Sequence, residues 1–99
     1  MSKITDMSYL FERTAFNGDI SNWDVSNVTN MNNMFSWCVA FNQDISNWDV
    51  SNVTDMYAMF YKCSKFNQDI SNWDVSNVKV MDYIFNDCPI EEKHKPKFK

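Results

Sequence analysis

Apolar residues recur along this chain in two alternating rhythms. In residues 28–38 and 53–63, Met31, Met34, Phe35, Cys38 and Met56, Met59, Phe60, Cys63 fall at i, i+3, i+4, i+7. That stripe predicts an amphipathic helix of two to three turns, with Ser26, Asn27 or Thr29 as its N-cap. Between the stripes the chain reads Ile20-x-x-Trp23-x-Val25-x-x-Val28, a tighter spacing that predicts a short strand.

Both rhythms belong to one repeat. Phe16-Asn-Gly-Asp-Ile-Ser-Asn-Trp-Asp-Val-Ser-Asn-Val28 recurs at Phe41 to Val53 and Phe66 to Val78, with Gln43 and Gln68 in place of Gly18 as the sole change. Ile4 to Phe11 aligns with Val28 to Phe35 at an offset of 24, which places Met1 where Val25 stands, so the chain is expected to begin inside a repeat through truncation. A strand-then-helix unit of this length matches the leucine-rich framework L-x-x-L-x-L-x-x-N, whose repeats run to roughly 20–29 residues. Strands stack at about 4.8 Å and helices at about 8–10 Å, so the array should curve. The expected fold is an α/β repeat: a short right-handed β/α solenoid, leucine-rich-repeat-like, with three full strands in parallel on the concave side and four short helices on the convex side. Residues 1–88 would form the solenoid, and 89–99 a C-terminal cap in which Ile90 and Phe98 fold back over Trp73, Val75 and Phe85.

The pattern F-N-x-D-I-S-N-W-D-V-S-N-V-T-x-M-x-x-M-F resembles the repeat of bacterial surface proteins and mycoplasma-type lipoproteins, a family of unknown function related to BspA-like leucine-rich repeats. Two departures stand out. The leucine-rich framework has Asn where this chain has Val28, Val53 and Val78, so an internal asparagine ladder is either missing or supplied by Asn27, Asn52 and Asn77. No basic-then-apolar leader opens the sequence. The resemblance implies a cell-surface or extracellular location, with a cytoplasmic one left open by the missing leader.

Composition narrows the chemistry. Thirteen Asn, ten Asp and ten Ser stand against one Gly, two Pro and one His in 99 residues. A single Gly rules out a glycine-rich phosphate loop. The net charge of −4 hides an acidic body and a basic tail, and an acidic body repels phosphate backbones, so nucleic acid is not an expected partner. No apolar run approaches the roughly 20 residues of a membrane helix. The three cysteines, 25 residues apart at 38, 63 and 88, are expected as free buried thiols. With identical acids on every rung, the asymmetric pKa environments of a catalytic pair are missing; neither an enzyme, a metal site nor a cofactor is expected.

Two surfaces remain as candidates. Asn22, Asp24, Ser26, Asn47, Asp49, Ser51, Asn72, Asp74 and Ser76 would face the concave solvent. There the stacked acids repel one another and need solvent screening with raised pKa values, hydrogen bonds or a cation. Asp19, Asp44 and Asp69 are read as turn-forming. On the other side the positions that differ between copies bring Trp37, Tyr57, Tyr61 and Tyr83 onto a convex aromatic patch. The expected function is a non-enzymatic binding or display module for a protein or glycan, adhesive by resemblance. The alternatives are a structural spacer or a cytoplasmic protein-interaction module, and the exposed ends of the array invite homo-oligomerisation.

Overall fold

The computed structural model describes residues 4–98, so Met1 and its correspondence with Val25, and Lys99 at the end of the tail, lie outside the described residues. Four turn-rich rungs, 4–27, 28–52, 53–77 and 78–98, lie one over another. Backbone N–H groups of Met31, Asn33, Phe35 and Trp37 donate to the carbonyls of Asp55, Tyr57, Met59 and Tyr61 in the next rung at 2.8–2.9 Å. The same set joins Met7, Tyr9, Phe11 and Arg13 to Asn30, Asn32, Met34 and Ser36, and Met56, Ala58, Phe60 and Lys62 to Val80, Asp82, Ile84 and Asn86.

The expected α/β solenoid does not form. Among the described residues the only helix is a three-residue 3-10 turn, Glu92–His94, and the strand component is reduced to isolated parallel bridges linking Asp6, Asn30, Asp55 and Val80. Where helices were expected the chain runs through overlapping tight turns. Met34 N–H donates to Met31 O, Ser36 to Asn33 and Cys38 to Phe35. Asn33 (φ 58°) and Trp37 (φ 60°) are left-handed at the third position of the first and last of these turns, the type II signature. Tyr9, Arg13, Ala58, Lys62, Tyr83 and Asp87 repeat it in the other rungs. Three successive turns bring residues 31, 34, 35 and 38 to one side, the same spacing an α-helix produces.

Rung separation explains the substitution of turns for helix. Phe35 and Phe60 rings stack at 5.4 Å between rungs, near the interval of paired strands and well short of the 8–10 Å that packed helices require. A helix also directs each N–H to the carbonyl four residues back, whereas here alternate N–H groups are needed to join rungs.

The expected strands are also turns. The sequence Asp19-Ile-Ser-Asn-Trp23 followed by Asp24-Val-Ser-Asn-Val28 is a five-residue unit used twice. In each unit the Asp carboxylate accepts the Ser N–H two residues on, at 3.0 Å in both Ser21 and Ser26. The fifth residue then closes on the second, Trp23 N–H to Ile20 O and Val28 N–H to Val25 O. Such Asx-turns compete with sheet pairing.

Side chains therefore tie this part of the rungs together. Trp48 Nε1 donates to Ile20 O and Trp73 Nε1 to Ile45 O, each at 3.1 Å. Asn52 and Asn77 amides donate to Ser26 O and Ser51 O at 2.7 Å. A further asparagine ladder runs through Asn17, Asn42 and Asn67, whose Oδ1 atoms accept the N–H of Asn42, Asn67 and Glu91. Gln43 and Gln68 brace it by donating to the carbonyls of Asn17 and Asn42 at 3.0 Å.

Inside, two phenylalanine columns run the height of the stack. Phe11, Phe35, Phe60 and Phe85 form one, and Phe16, Phe41 and Phe66 the other, with Phe35 and Phe41 rings 4.2 Å apart within a rung. Met31, Met34, Met56 and Met59 are fully buried beside them. Of the positions expected to point inward, Trp48 and Trp73 are buried at 4% and 5%, and Trp23 in the outermost rung is 39% exposed. The tail ends the second column: buried Ile90 precedes Glu91 as Phe66 precedes Asn67, one residue short of the 25-residue register, and Phe98 packs against the core. Glu91 takes the ladder position after Asn67, and Ile70 N–H donates to His94 O at 3.0 Å.

Candidate functional site

The two expected surfaces differ sharply in what their side chains are already doing. Asn22, Asp24, Asn47, Asp49, Asn72, Asp74 and Ser76 are exposed, while Ser26 and Ser51 are half-buried. No concave sheet carries them; they sit on the outer corners of the five-residue turns. Ser26 donates from both N–H and Oγ to Asp24, at 3.0 and 2.6 Å, and Ser76 does the same to Asp74. Ser51 repeats this on Asp49, and Asn47 donates to Ser21 O.

These bonds settle how the acid column tolerates its own charge. The carboxyls of Asp24 and Asp49 are held below their ordinary pKa by the Ser26 and Ser51 hydroxyls first and the backbone N–H second. For Asp49 the neighbouring Asp24 and Asp74 charges push the other way but are outweighed. The raised pKa values expected to accompany solvent screening are thus corrected to lowered ones, because two donors per carboxylate favour the charged form. Asp19 and Asp44 are lowered by the backbone N–H of Ser21 and Ser46 first and the hydroxyl second, and Asp69 by the Ser71 hydroxyl first; the bonds from these Ser N–H groups to the carboxylates two residues back give the turn-forming role.

The variable turn positions build a different surface. Trp37, Tyr57, Tyr61 and Tyr83, from three rungs, line one open cavity of about 530 Å³ together with Glu12 and Arg13. Its floor is made by small side chains at positions that carry larger ones elsewhere in the column, buried Ser36 and Ala58. The rings meet edge to face: Trp37 with Tyr61 at 6.2 Å and 73°, Tyr57 with Tyr83 at 5.8 Å and 87°, Tyr61 with Tyr83 at 6.5 Å and 77°. This geometry suits the ring quadrupoles and holds the aromatic walls in place. Arg13 and Lys62 lie over the Trp37 ring at 5.4 and 5.0 Å. Lys62 is anchored to Asp87 at 3.1 Å, and that carboxylate raises its pKa.

The turns aim these side chains. Left-handed residues at Trp37, Lys62 and Tyr83 turn outward while their neighbours Phe35, Cys38, Phe60 and Cys63 turn in. Comparing copies column by column was enough to find the patch. Sequence reading missed the flanking Arg13 and Lys62, although both fall in Trp37's own column.

The thiols add no chemistry. Cys38 and Cys63 are buried and Cys88 half-buried, all free. Cys63 Sγ donates to the carbonyls of Phe35 and Cys38 at 3.4 Å, and burial pushes its pKa up strongly. No cluster of His, Cys, Asp and Glu among the described residues could hold a metal ion, and no helix among them is long and apolar enough to cross a membrane.

A family model described as Mycoplasma protein of unknown function, DUF285, matches residues 1–97. No curated protein and no solved structure matches the chain.

Proposed function

The chain belongs to this Mycoplasma family of unknown function, and from that premise we propose that it is a non-enzymatic binding module whose ligand is a segment of another protein, received in the aromatic groove. One observation carries the reading: the aromatic residues that vary between otherwise near-identical repeats converge on a single cavity. Tyr, Trp and Arg are the residue types that most often anchor protein interfaces, and here they are held rigid by edge-to-face packing.

A protein segment fits better than a sugar. Carbohydrate stacking needs an open ring face, but Arg13 and Lys62 already lie over Trp37 and the tyrosines present edges to one another. The same cations and Glu12 offer charge-assisted hydrogen bonds to a peptide's carboxylates and amides. Display of the module at a cell surface is supported by the resemblance of the repeat to surface-protein arrays.

The test is selection of peptides from a displayed library on the immobilised full chain, followed by titration monitored through tryptophan fluorescence. Trp37→Ala should weaken a selected peptide by about 2 kcal/mol, roughly 30-fold. Asp49→Asn, on the polar column, should leave binding unchanged. Peptides that bind the Trp37→Ala chain as well as the native one would overturn the groove, and glycan binding with no peptide binding would overturn the ligand class.

A further inference from the structure

The inter-rung hydrogen bonds are directional, and this leaves the two ends of the stack chemically opposite. At each junction four N–H groups of the lower rung donate to four carbonyls of the upper rung, and one carbonyl of the lower rung, that of Thr5, Thr29 or Thr54, accepts two N–H groups in return. Among the described residues, the outermost carbonyls of Asp6, Ser8, Leu10 and Glu12 accept no hydrogen bond, and the N–H groups of Met81, Tyr83, Phe85 and Asp87 donate none. The return bonds also stop at the ends. Thr29 O accepts from Thr54 and Asp55 within the stack; Lys79 O at one end and the Thr5 and Asp6 N–H groups at the other lack that match.

From this we infer that a second copy of the chain docks end to end, its first rung seated on the last rung of the first copy as if it were a fifth. The repeat register decides what would meet. Tyr9 falls on Tyr83, Leu10 on Ile84, Phe11 on Phe85 and Arg13 on Asp87, continuing the columns that already run Phe11–Phe35–Phe60–Phe85. Arg13 opposite Asp87 reproduces the Lys62–Asp87 pair found inside the stack. The first-rung end is apolar: Ile4, Leu10 and Trp23 are exposed and line a hollow of about 550 Å³. At the other end Val80 and Tyr83 are exposed.

Two first-rung ends match poorly, since each offers four carbonyls against two N–H groups. The contact is therefore heterologous, and such contacts propagate unless something stops them. The tail supplies a brake. Lys95 lies 5.5 Å over the outer face of the Phe85 ring and is tied to Glu92 at 3.2 Å, so its side chain must swing aside before Phe11 of another copy can stack there.

Sedimentation of the full chain over a range of concentrations tests the inference, with thermal melting as the check that each variant folds. The native chain should sediment faster as concentration rises. Arg13→Asp and Asp87→Arg each place like charges at the joint and should weaken self-association by about tenfold or more. Mixed in equal amounts, the two variants should associate again, because every head-to-tail joint between them then joins opposite charges. A native chain that stays monomeric at all concentrations overturns the inference, as does association that the charge variants leave unchanged or that mixing fails to restore. Asp87 does not line the aromatic groove, so restoration on mixing separates this joint from whatever the groove binds.

Discussion

Lys62 offers a direct measurement of the backbone that replaces the expected helix. It sits in an interior rung with φ 56°, a conformation that costs an L-residue about 1–2 kcal/mol against the right-handed region and glycine almost nothing. Two variants, Lys62→Ala and Lys62→Gly, both lose the ion pair to Asp87 and the contact with Trp37, so their difference reports the backbone. Glycine gains the relief of about 1–2 kcal/mol and loses about 0.4–1 kcal/mol through the freer unfolded chain. The Gly variant should therefore be the more stable by about 0.5–1 kcal/mol. In thermal unfolding this is a melting point roughly 4 °C above that of the Ala variant. A helix at this position gives the opposite sign, with alanine ahead by about 1 kcal/mol. If the Ala variant melts higher, the turn description of residues 56–63 is wrong.

Other outcomes follow from the same geometry. Lowered carboxyl pKa values at Asp19, Asp24, Asp44, Asp49 and Asp69 contribute stability that is present above the unfolded carboxylate pKa of about 3.9 and lost as pH falls through the folded values. Melting temperature should thus hold near neutrality and drop in acid; a rise on acidification would show that repulsion in the column dominates. Trp48→Phe, which leaves the Ile20 carbonyl without the indole N–H at 3.1 Å, should cost about 1–3 kcal/mol in urea unfolding, against about 0.5 kcal/mol or less for Trp23→Phe. Equal losses would remove the tryptophan ladder from the account. In the native chain a thiol reagent at pH 8 should reach half-buried Cys88 before buried Cys63, whose raised pKa keeps it neutral; equal rates for native and unfolded protein would contradict the packing.

The repeat, its register and nearly all of its core could be read from the chain, because burial repeats with the sequence: Ile20, Val25, Met31 and Phe35 and their interior copies are inside as the pattern required. Secondary structure could not. Spacing of i, i+3, i+4, i+7 reports which side chains share a face, and a run of overlapping turns shares faces in the same way as a helix. Glycine would have flagged the left-handed positions, but Tyr9, Lys62 and Tyr83 occupy them instead, and the chain's only glycine, Gly18, is not left-handed. The five-residue unit D-x-S-N-x was visible twice in every block and signals Asx-turns; the apolar spacing of Ile20, Trp23 and Val25 drew the reading to a strand. The groove was legible in part, since differences between copies exposed Trp37, Tyr57, Tyr61 and Tyr83. Arg13 and Lys62 were not, because their place over an indole depends on the rung spacing.

The matched junctions make length a free variable in this architecture. Each junction repeats the same backbone bonds, and the Asn17, Trp48 and Phe35 columns pass through it without regard to which rung they join. One more 25-residue unit spliced after Val53 would extend every column by one place and deepen the aromatic groove by about 4.8 Å, leaving the tail on the last rung as before. The chain is in this sense a ruler, graduated in rungs, on which a lineage or an engineer can change the span of the binding surface without redesigning its core.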